Sequence, residues 1–479
     1  MKRPLVELAA SIDVDVDPDW SGIYVTGVIE DSRLVEPGDL FVAIRGLEED
    51  GHDYIDQAIE RGAVAVVVER PCGVSVPELV VPDGRRALGR LAAEVNGRPT
   101  EGLFVVGVTG TNGKTTVAHL TADLLGRRET EIITTVANEE RGLRAVTTPP
   151  SRAVQRIARS ALRAGQKNLV IEASSIGLEQ MRLEAVDFDV AVFTDLTHDH
   201  LDYHRDMEAY LAAKLTLFQD LKQEALALIN ADDPASGRVA GSTRARVIRY
   251  GVEVEADLRA LDIELSVRGT SFTLSAPSGS VRVRIQLPAG YNVSNALAAA
   301  GVGLARGMEL EEVAERLAAA RPVEGRYRVF RSTNGADVIV DFAHSPDALE
   351  RTLRFLRMNY PRVVSVFGCP GGSDREKRPL MGEISGRLAD LTILTTDNPK
   401  GEDPGAIIDE IEGGVRGAGG RYERIVDRRE AIRRAVGAAR AGEAVLIAGK
   451  GHETYQIVGS DFLPHSDSAF LLEEGLVEL

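Results

Sequence analysis

From Val105 to Thr116 the chain reads Val-Val-Gly-Val-Thr-Gly-Thr-Asn-Gly-Lys-Thr-Thr, an apolar run passing through a glycine-rich turn into a helix start. Such a turn curls backbone N–H groups and the helix N-terminus toward phosphate oxygens. Lys114 then reaches the β- and γ-phosphates, and the Thr115 hydroxyl is offered to Mg²⁺. Gly110, Thr111, Asn112, Gly113 and Thr116 complete the cradle. The usual pattern places a further glycine five residues before Gly113, where this chain has Val108.

A second constellation follows. Residues 170–175 (Val-Ile-Glu-Ala-Ser-Ser) read as a buried strand ending in Glu172 and two hydroxyls, and residues 194–204 hold His198, His200 and His204 among three aspartates. Acids and imidazoles at the C-terminal ends of parallel strands stand in the crevice where such sheets bind ligands. With no cysteine nearby and carboxylates dominant, a hard cation such as Mg²⁺ suits the set better than zinc; a polar loop with capping histidines is the plainer alternative. Lys214 lies on an Ala-lined helix, and by itself reads as a snorkelling surface lysine. Asn292 and Asn295 sit at a helix start, Arg326 follows Gly325, and Asp341 ends an apolar strand. Each is also compatible with an N-cap or an ordinary strand end.

These groups need elements to hold them. The first 98 residues carry short Val/Ile runs (23–29, 63–69, 79–81) and helical patterns (54–61, 85–95), a small α/β unit closed by the turn-rich Asn96-Gly97-Arg98-Pro99. From residue 99 strands and helices alternate: strands over 103–108, 132–135, 168–173, 190–194 and 225–230, helices over 114–125, 151–164 and 207–221. That order predicts a parallel sheet covered on both faces. Residues 245–287 switch to period-two patterning and predict antiparallel strands inserted in or attached to this unit. Helices over 294–306 and 310–320 follow. Beyond Arg321-Pro322 the alternation resumes in a third α/β unit, giving domains 1–98, 99–324 and 325–479.

Composition narrows the class. Lys+Arg number 56 against 73 Asp+Glu, a net charge of −17, which excludes a generally basic nucleic-acid-coating protein. Cys72 and Cys369 form no metal or redox spacing and suit a reducing cytoplasm. No run is long and apolar enough to insert in a membrane. Eight lysines stand against 48 arginines, so a retained lysine can mark a place where a compact or deprotonatable amine is needed.

Further ordered segments complete the pattern: Asp31-Ser32-Arg33, Pro37-Gly38-Asp39, Asp199-His200-Leu201-Asp202-Tyr203-His204, Asp341 through Leu349, Lys377-Arg378-Pro379, Asp397-Asn398-Pro399 and Gly449-Lys450-Gly451-His452-Glu453. On these motifs the whole chain resembles the Mur ligase family, in particular its members that add the third amino acid of the peptidoglycan stem peptide. The resemblance implies a UDP-muramoyl-binding N-terminal domain, a central P-loop ATPase domain with a parallel sheet plus a small antiparallel sheet, and a C-terminal Rossmann-like domain for the incoming amino acid. It implies a cytoplasmic monomer, ATP and Mg²⁺ as cofactors, and UDP-MurNAc-L-Ala-D-Glu and a free amino acid as partners, joined through an acyl phosphate.

The same resemblance implies roles. Lys114, Glu172, His200 and Lys214 become the catalytic set, with Thr115, Glu172 and His200 as Mg²⁺ ligands and Lys214 as an N6-carboxylysine, a modification open to an amine and closed to a guanidinium. Asn292, Arg326 and Asp341 join the P-loop as nucleotide contacts. Ser32, Thr147, Thr148, Ser174, Gln180 and Arg182 align with contacts to the nucleotide-sugar dipeptide. Arg378, Asp397, Asn398, Pro399, Lys400, Gly449 and Glu453 align with positions that hold the amino acid. Departures from the family pattern fall at Ile176, Asp195, His198, residues 369–374 and Ser468. Lys400 takes the place of an arginine associated with meso-diaminopimelate. Diaminopimelate remains the expected amino acid, since Asn398 and Glu453 are kept; lysine or ornithine is the alternative, as is a nucleotide-binding regulatory paralogue with degraded catalysis. A folylpolyglutamate-type ligase is disfavoured by Arg378-Pro379-Leu380-Met381 and the Asp-Asn-Pro segment.

Overall fold

The computed structural model describes residues 2–15, 17–46 and 49–479. Three α/β units follow one another along the chain. In the first, four parallel strands stand in the order Val28–Ile29, Leu40–Val42, Ala65–Val68, Glu78–Val80. The run expected over 23–29 is split into Tyr24–Val25 and Val28–Ile29. The reason is local: a side chain at Gly27 would stand 2.6 Å from Asp39 Oδ1, so the chain bends past that carboxylate where only glycine fits.

The second unit is built on nine strands. From one edge they run Gly279–Ile285, Gly269–Ala276, Leu258–Ser266, Arg246–Gly251, Leu226–Asn230, Val190–Phe193, Phe104–Thr109, Asn168–Glu172 and Thr130–Ile133. Of the stretch expected to be antiparallel over 245–287, Arg246–Gly251 instead continues the parallel sheet beside Leu226–Asn230, and Tyr250 and Gly251 pair in parallel with Leu258 and Arg259; only the hairpins from Leu258 to Ile285 are antiparallel, extending the sheet edge. Alternate residues of the central strands feed opposite cores. Val106, Val108 and Val170 pack on one face, while Val105, Leu169 and Ile171 pack on the other. All are fully buried, each contributing about 1.5–3 kcal/mol relative to exposure.

Chain order reverses at the strand that leads into the glycine-rich turn. Phe104–Thr109 is flanked by Asn168–Glu172 on one side and Val190–Phe193 on the other, each in parallel register. Connections therefore leave its two neighbours to opposite faces and open a crevice at the C-terminal strand ends. Into that crevice project the turn 110–113, Glu172 and the segment from Thr194 onward.

The third unit repeats the scheme with seven strands in the order Tyr422–Arg424, Leu391–Leu394, Val363–Phe367, Ala444–Ala448, Asp337–Asp341, Arg328–Arg331, Val477–Glu478. Arg328–Arg331 and, at the sheet edge, Val477–Glu478 are antiparallel strands that patterning did not expose, being short and half polar. A hairpin, Tyr455–Val458 with Asp461–Pro464, also lies outside the predicted elements. Among the described residues, no helix is long and apolar enough to cross a membrane.

Candidate active site

Helix Lys114–Leu125 begins at Gly113, whose φ of +81° is left-handed and whose missing Cβ leaves room for Asn295 Oδ1, 2.3 Å from where it would stand. Gly110 is tighter. Its φ is +149°, and a Cβ there would come within 1.8 Å of Thr194 Oγ1. The two glycines let the turn fold against the neighbouring strand end. Asp195, at that strand end, accepts the backbone N–H groups of Thr111 and Asn112 on Oδ1, at 3.0 and 2.7 Å. This aspartate, a departure from the family pattern, braces the phosphate loop.

Two lysines meet at the loop. Lys114 Nζ donates to the carbonyl oxygens of Gly110 and Thr111, at 3.1 and 2.8 Å. Lys214 Nζ donates to Gly110 O at 2.7 Å and lies 4.1 Å above the Tyr210 ring. Lys214 is 1% exposed, so the surface alternative for it is excluded. Burial, and then the charge of Lys114, push its amine well below the usual lysine range. Burial also lowers Lys114, against the pull of Glu172, Asp195 and Asp199.

Glu172 ends its strand fully buried. Its Oε2 accepts from Thr135 Oγ1 at 3.1 Å, while Oε1 has no hydrogen-bond partner among the described residues. His200 takes φ +56° at the start of the short helix Leu201–His204, with Nε2 3.7 Å from Asp199 Oδ2. Burial lowers it to about 4, so the ring is neutral and has a lone pair to offer. No cluster of three or more His, Cys, Asp or Glu able to hold a metal exists among the described residues.

The 194–204 loop is also the seam to the third unit. Asp199 lies 3.5 Å from Lys377 Nζ and 3.6 Å from His344 Nε2. Its burial opposes ionisation, yet Lys377 and the two histidines hold the carboxylate well below the usual range. His198 Nε2 reaches Asp374 Oδ2 at 3.1 Å. Asn112 Nδ2 donates to Asp347 Oδ2 at 2.9 Å, and Arg326 Nη2 donates to Thr115 Oγ1 at 2.9 Å. The third unit therefore touches the phosphate loop at two points.

Asn292 and Asp341 line the same region with their polar atoms engaged. Helix Tyr291–Ala305 starts three residues before the expected position, which places Asn292 in its first turn; Nδ2 donates to Pro288 O and Oδ1 accepts from Asn295. Asp341 accepts the N–H groups of Tyr327 and Ala343, one on each oxygen, and burial raises it above the usual carboxylate range.

A polar wall runs from the loop toward the first unit. Thr148 Oγ1 donates to Glu172 O at 2.7 Å and lies 2.9 Å from Ser174 Oγ; Arg182 Nη1 donates to Thr148 O, and its remaining fork grips Gln180 Oε1. Thr147 Oγ1 lies 3.1 Å from Thr135 Oγ1. Ser32 belongs to the first unit, where its hydroxyl donates to Gln57 Oε1 at 2.6 Å.

In the third unit, Lys450 Nζ donates to Asn398 Oδ1 at 2.9 Å and to Glu453 Oε2 at 2.6 Å, and Asn398 Nδ2 donates to the same Glu453 oxygen. Asp397 lies beside them with Oδ2 buried and lacking a partner among the described residues, 2.7 Å from where a Gly449 side chain would begin. Arg378 is fully buried and its fork is already held by Glu402 and Glu410. Pro399 is followed by Lys400, at φ +50°, whose backbone pairs with Ile457 and Gly459 of the hairpin. Sequence reasoning left out Asp195, Thr135, Asp347 and the Lys377–Asp199 pair as working contacts. Their partners lie tens to hundreds of positions away, and no local pattern signals them.

Three family models match the chain: the Mur ligase family, catalytic domain over residues 24–96, the Mur ligase middle domain over 108–303, and the Mur ligase, glutamate ligase domain over 325–451. The UDP-N-acetylmuramoyl-L-alanyl-D-glutamate–2,6-diaminopimelate ligase of Geobacillus thermodenitrificans is 45% identical over 451 residues, covering 92% of both chains. The protein of that name in Geobacter metallireducens is 43% identical over 469 residues, covering 91% of both. A solved structure with the same name superposes with a TM-score of 0.70 at 32% identity, covering 99% of this chain and 98% of that one. The MurF ligase from Thermotoga maritima in complex with ADP shares the fold, with a TM-score of 0.62 at 22% identity over 88% of this chain and 94% of that one.

Proposed function

This chain belongs to the Mur ligase family, and on that premise we propose that it is the ATP-dependent ligase that joins meso-diaminopimelate to UDP-MurNAc-L-Ala-D-Glu. The observation that carries the reading is that the third unit docks on the glycine-rich turn of the central unit, through Arg326–Thr115 and Asp347–Asn112, and carries the Asp397–Asn398–Lys450–Glu453 cluster, whose neighbour Tyr455 bonds Glu139 of the central unit. A ligase of this kind needs both on one reaction path. The name printed for the relatives at 45% and 43% identity supports the choice of amino acid.

In this reading ATP lies on the turn 110–116, with Arg326, Asn292 and Asp341 toward its nucleoside. Thr148, Ser174, Gln180 and Arg182 present the dipeptide's terminal carboxylate, and Ser32 and Thr147 extend the contact toward the nucleotide sugar. Carboxylate oxygen attacks the γ-phosphorus, forming an acyl phosphate and releasing ADP. The amine of the second substrate then attacks the acyl carbon, and the tetrahedral intermediate collapses to amide and phosphate. No side-chain nucleophile is required. The chain's part is positioning and charge neutralisation, with Lys114 swinging from its loop carbonyls to the phosphates.

Mg²⁺ fits the site. The unsatisfied Oε1 of Glu172, the neutral His200 ring and the Thr115 hydroxyl would hold the ion, leaving the rest of its shell to phosphate oxygens and water. When bound it supplies charge screening between carboxylate and triphosphate. Burial and Lys114 push Lys214 toward the neutral amine that carbamate formation needs. Its remaining N–H could keep the bond to Gly110 O while the new carboxylate turns toward the loop.

Lys400 supports the amino-acid choice less strongly, since a single ammonium replaces a bidentate fork. Phosphate release in the presence of UDP-MurNAc-L-Ala-D-Glu and a panel of meso-diaminopimelate, L-lysine and L-ornithine tests the reading. Release that needs both the nucleotide and meso-diaminopimelate is expected. Release with lysine alone would reassign the amino acid, and nucleotide binding without release would return the regulatory alternative.

A further inference from the structure

The pocket proposed for the amino acid lacks one thing the reaction requires. An amino acid arrives as an ammonium, which has no lone pair, so a base must stand where the pocket meets the acyl phosphate. Glu453 is poorly suited, because its Oε2 already holds Lys450 and Asn398. The short helix Thr135–Glu140 of the central unit supplies a different carboxylate. At its start Thr135 donates to Glu172 and touches Thr147; one turn later, on the same face, Glu139 Oε1 accepts from Tyr455 Oη of the third unit at 3.0 Å. The Tyr455 ring in turn lies 5.7 Å from Lys450 Nζ. Glu139 thus stands between the phosphate side and the amine side of the seam, and Tyr455 is its side chain's one hydrogen-bond partner among the described residues.

We infer that Glu139 is the proton acceptor for the incoming amino group, brought to it by docking of the third unit on the central one. The inference rests on the functional reading above. The step balances: one ammonium proton passes to the Glu139 carboxylate, the freed nitrogen lone pair forms the C–N bond, the acyl C–O bond breaks, and the nitrogen's second proton leaves with the departing phosphate. The surroundings suit the task. Tyr455, His452, Glu453 and Lys450 face Glu139 from the third unit, and Arg144 from its own. Burial raises the carboxyl to about 7, while burial lowers His452 to about 3 and keeps that ring neutral, 3.9 Å away. Glu139 is therefore part ionised at neutral pH and able to take a proton.

The test uses the full-length enzyme and two variants, Glu139→Gln and Tyr455→Phe. Two readouts are needed: ligation rate from pH 5.5 to 9.5, and positional exchange of oxygen-18 in labelled ATP with UDP-MurNAc-L-Ala-D-Glu but no amino acid, which reports acyl-phosphate formation alone. Wild type should show a rise in kcat with pH near 7. Glu139→Gln should keep isotope exchange within threefold, lose at least a hundredfold in kcat at pH 7, change KM for the amino acid less than fivefold, and recover progressively toward pH 9.5 as the amine deprotonates unaided. Tyr455→Phe removes a bond that favours the carboxylate, so it should shift the wild-type rise upward in pH. A pH-independent loss in Glu139→Gln, or retention of a tenth of wild-type kcat with the rise still in place, overturns the inference while leaving the ligase reading intact. Absence of both exchange and ligation in wild type overturns the ligase reading and this inference with it.

Discussion

Lys114 and Lys214, exactly one hundred positions apart in sequence, donate to the same carbonyl oxygen, that of Gly110, at 3.1 and 2.7 Å. Two ammonium groups on one acceptor repel each other, and the arrangement is relieved when the more deeply buried amine is neutral. Burial and Lys114 both shift Lys214 toward that state. On the carbamate assignment proposed for Lys214, Lys114 thereby helps prepare its neighbour for reaction with CO₂.

Replacing Lys214 by arginine keeps a cation and removes the deprotonatable amine. Ligation should fall at least ~10²-fold, the scale of losing one preorganised electrostatic contact, with and without added bicarbonate. Retention of more than a tenth of wild-type activity would remove the carbamate assignment. Circular dichroism should show the fold retained.

A methyl group at Gly110 has nowhere to go: it would stand 1.8 Å from Thr194 Oγ1 and 3.0 Å from the Asp195 backbone nitrogen. Gly110→Ala should cost on the order of 3 kcal/mol through strain and displaced packing. It should also raise KM for ATP, because the carbonyl shared by the two lysines moves with the loop. Thermal unfolding and ATP titration are the measurements; an unchanged Tm together with an unchanged KM would contradict this account of the turn.

Lys400→Arg should raise kcat/KM for meso-diaminopimelate relative to L-lysine by about tenfold, equivalent to about 1.4 kcal/mol, the gain of a fork over a single ammonium contact. A ratio unchanged by the substitution takes Lys400 out of the specificity pocket.

Arg428 and Asp467 form an ion pair in the third unit with side chains 1% and 0% exposed, closed by two bonds of 2.8 and 2.7 Å. Burial alone would favour the neutral acid, but Arg428 holds Asp467 well below the usual carboxylate range. A depressed folded-state pKa contributes stability above the unfolded value of about 3.9, and that contribution is lost as pH falls toward the folded value. Asp467→Asn leaves a buried guanidinium without its counter-charge, at a cost of about 3–5 kcal/mol. Unfolding midpoints between pH 3 and 8 should show the deficit nearly constant above pH 5 and shrinking below pH 4. A deficit that persists undiminished at pH 3 would assign the role of Asp467 to packing instead.

The alternation of apolar runs with helical patterns determined the three α/β units, because buried parallel strands must be apolar throughout and their covering helices amphipathic. Gly110 to Thr116 and Glu172 were legible for a related reason: a strand end feeding a helix start carries its chemistry within a few consecutive residues. Tertiary structure alone decided whether Lys214 faces solvent or the phosphate loop, since its Ala-lined helix fits either and only packing against Gly110 chooses. It also decided that Arg378 is held by Glu402 and Glu410, that Asp195 braces the loop, and that Glu139 meets Tyr455. Each of these joins residues from separate elements or separate units. Sequence periodicity reports which face of an element is buried, and it carries no information on which distant element will cover that face.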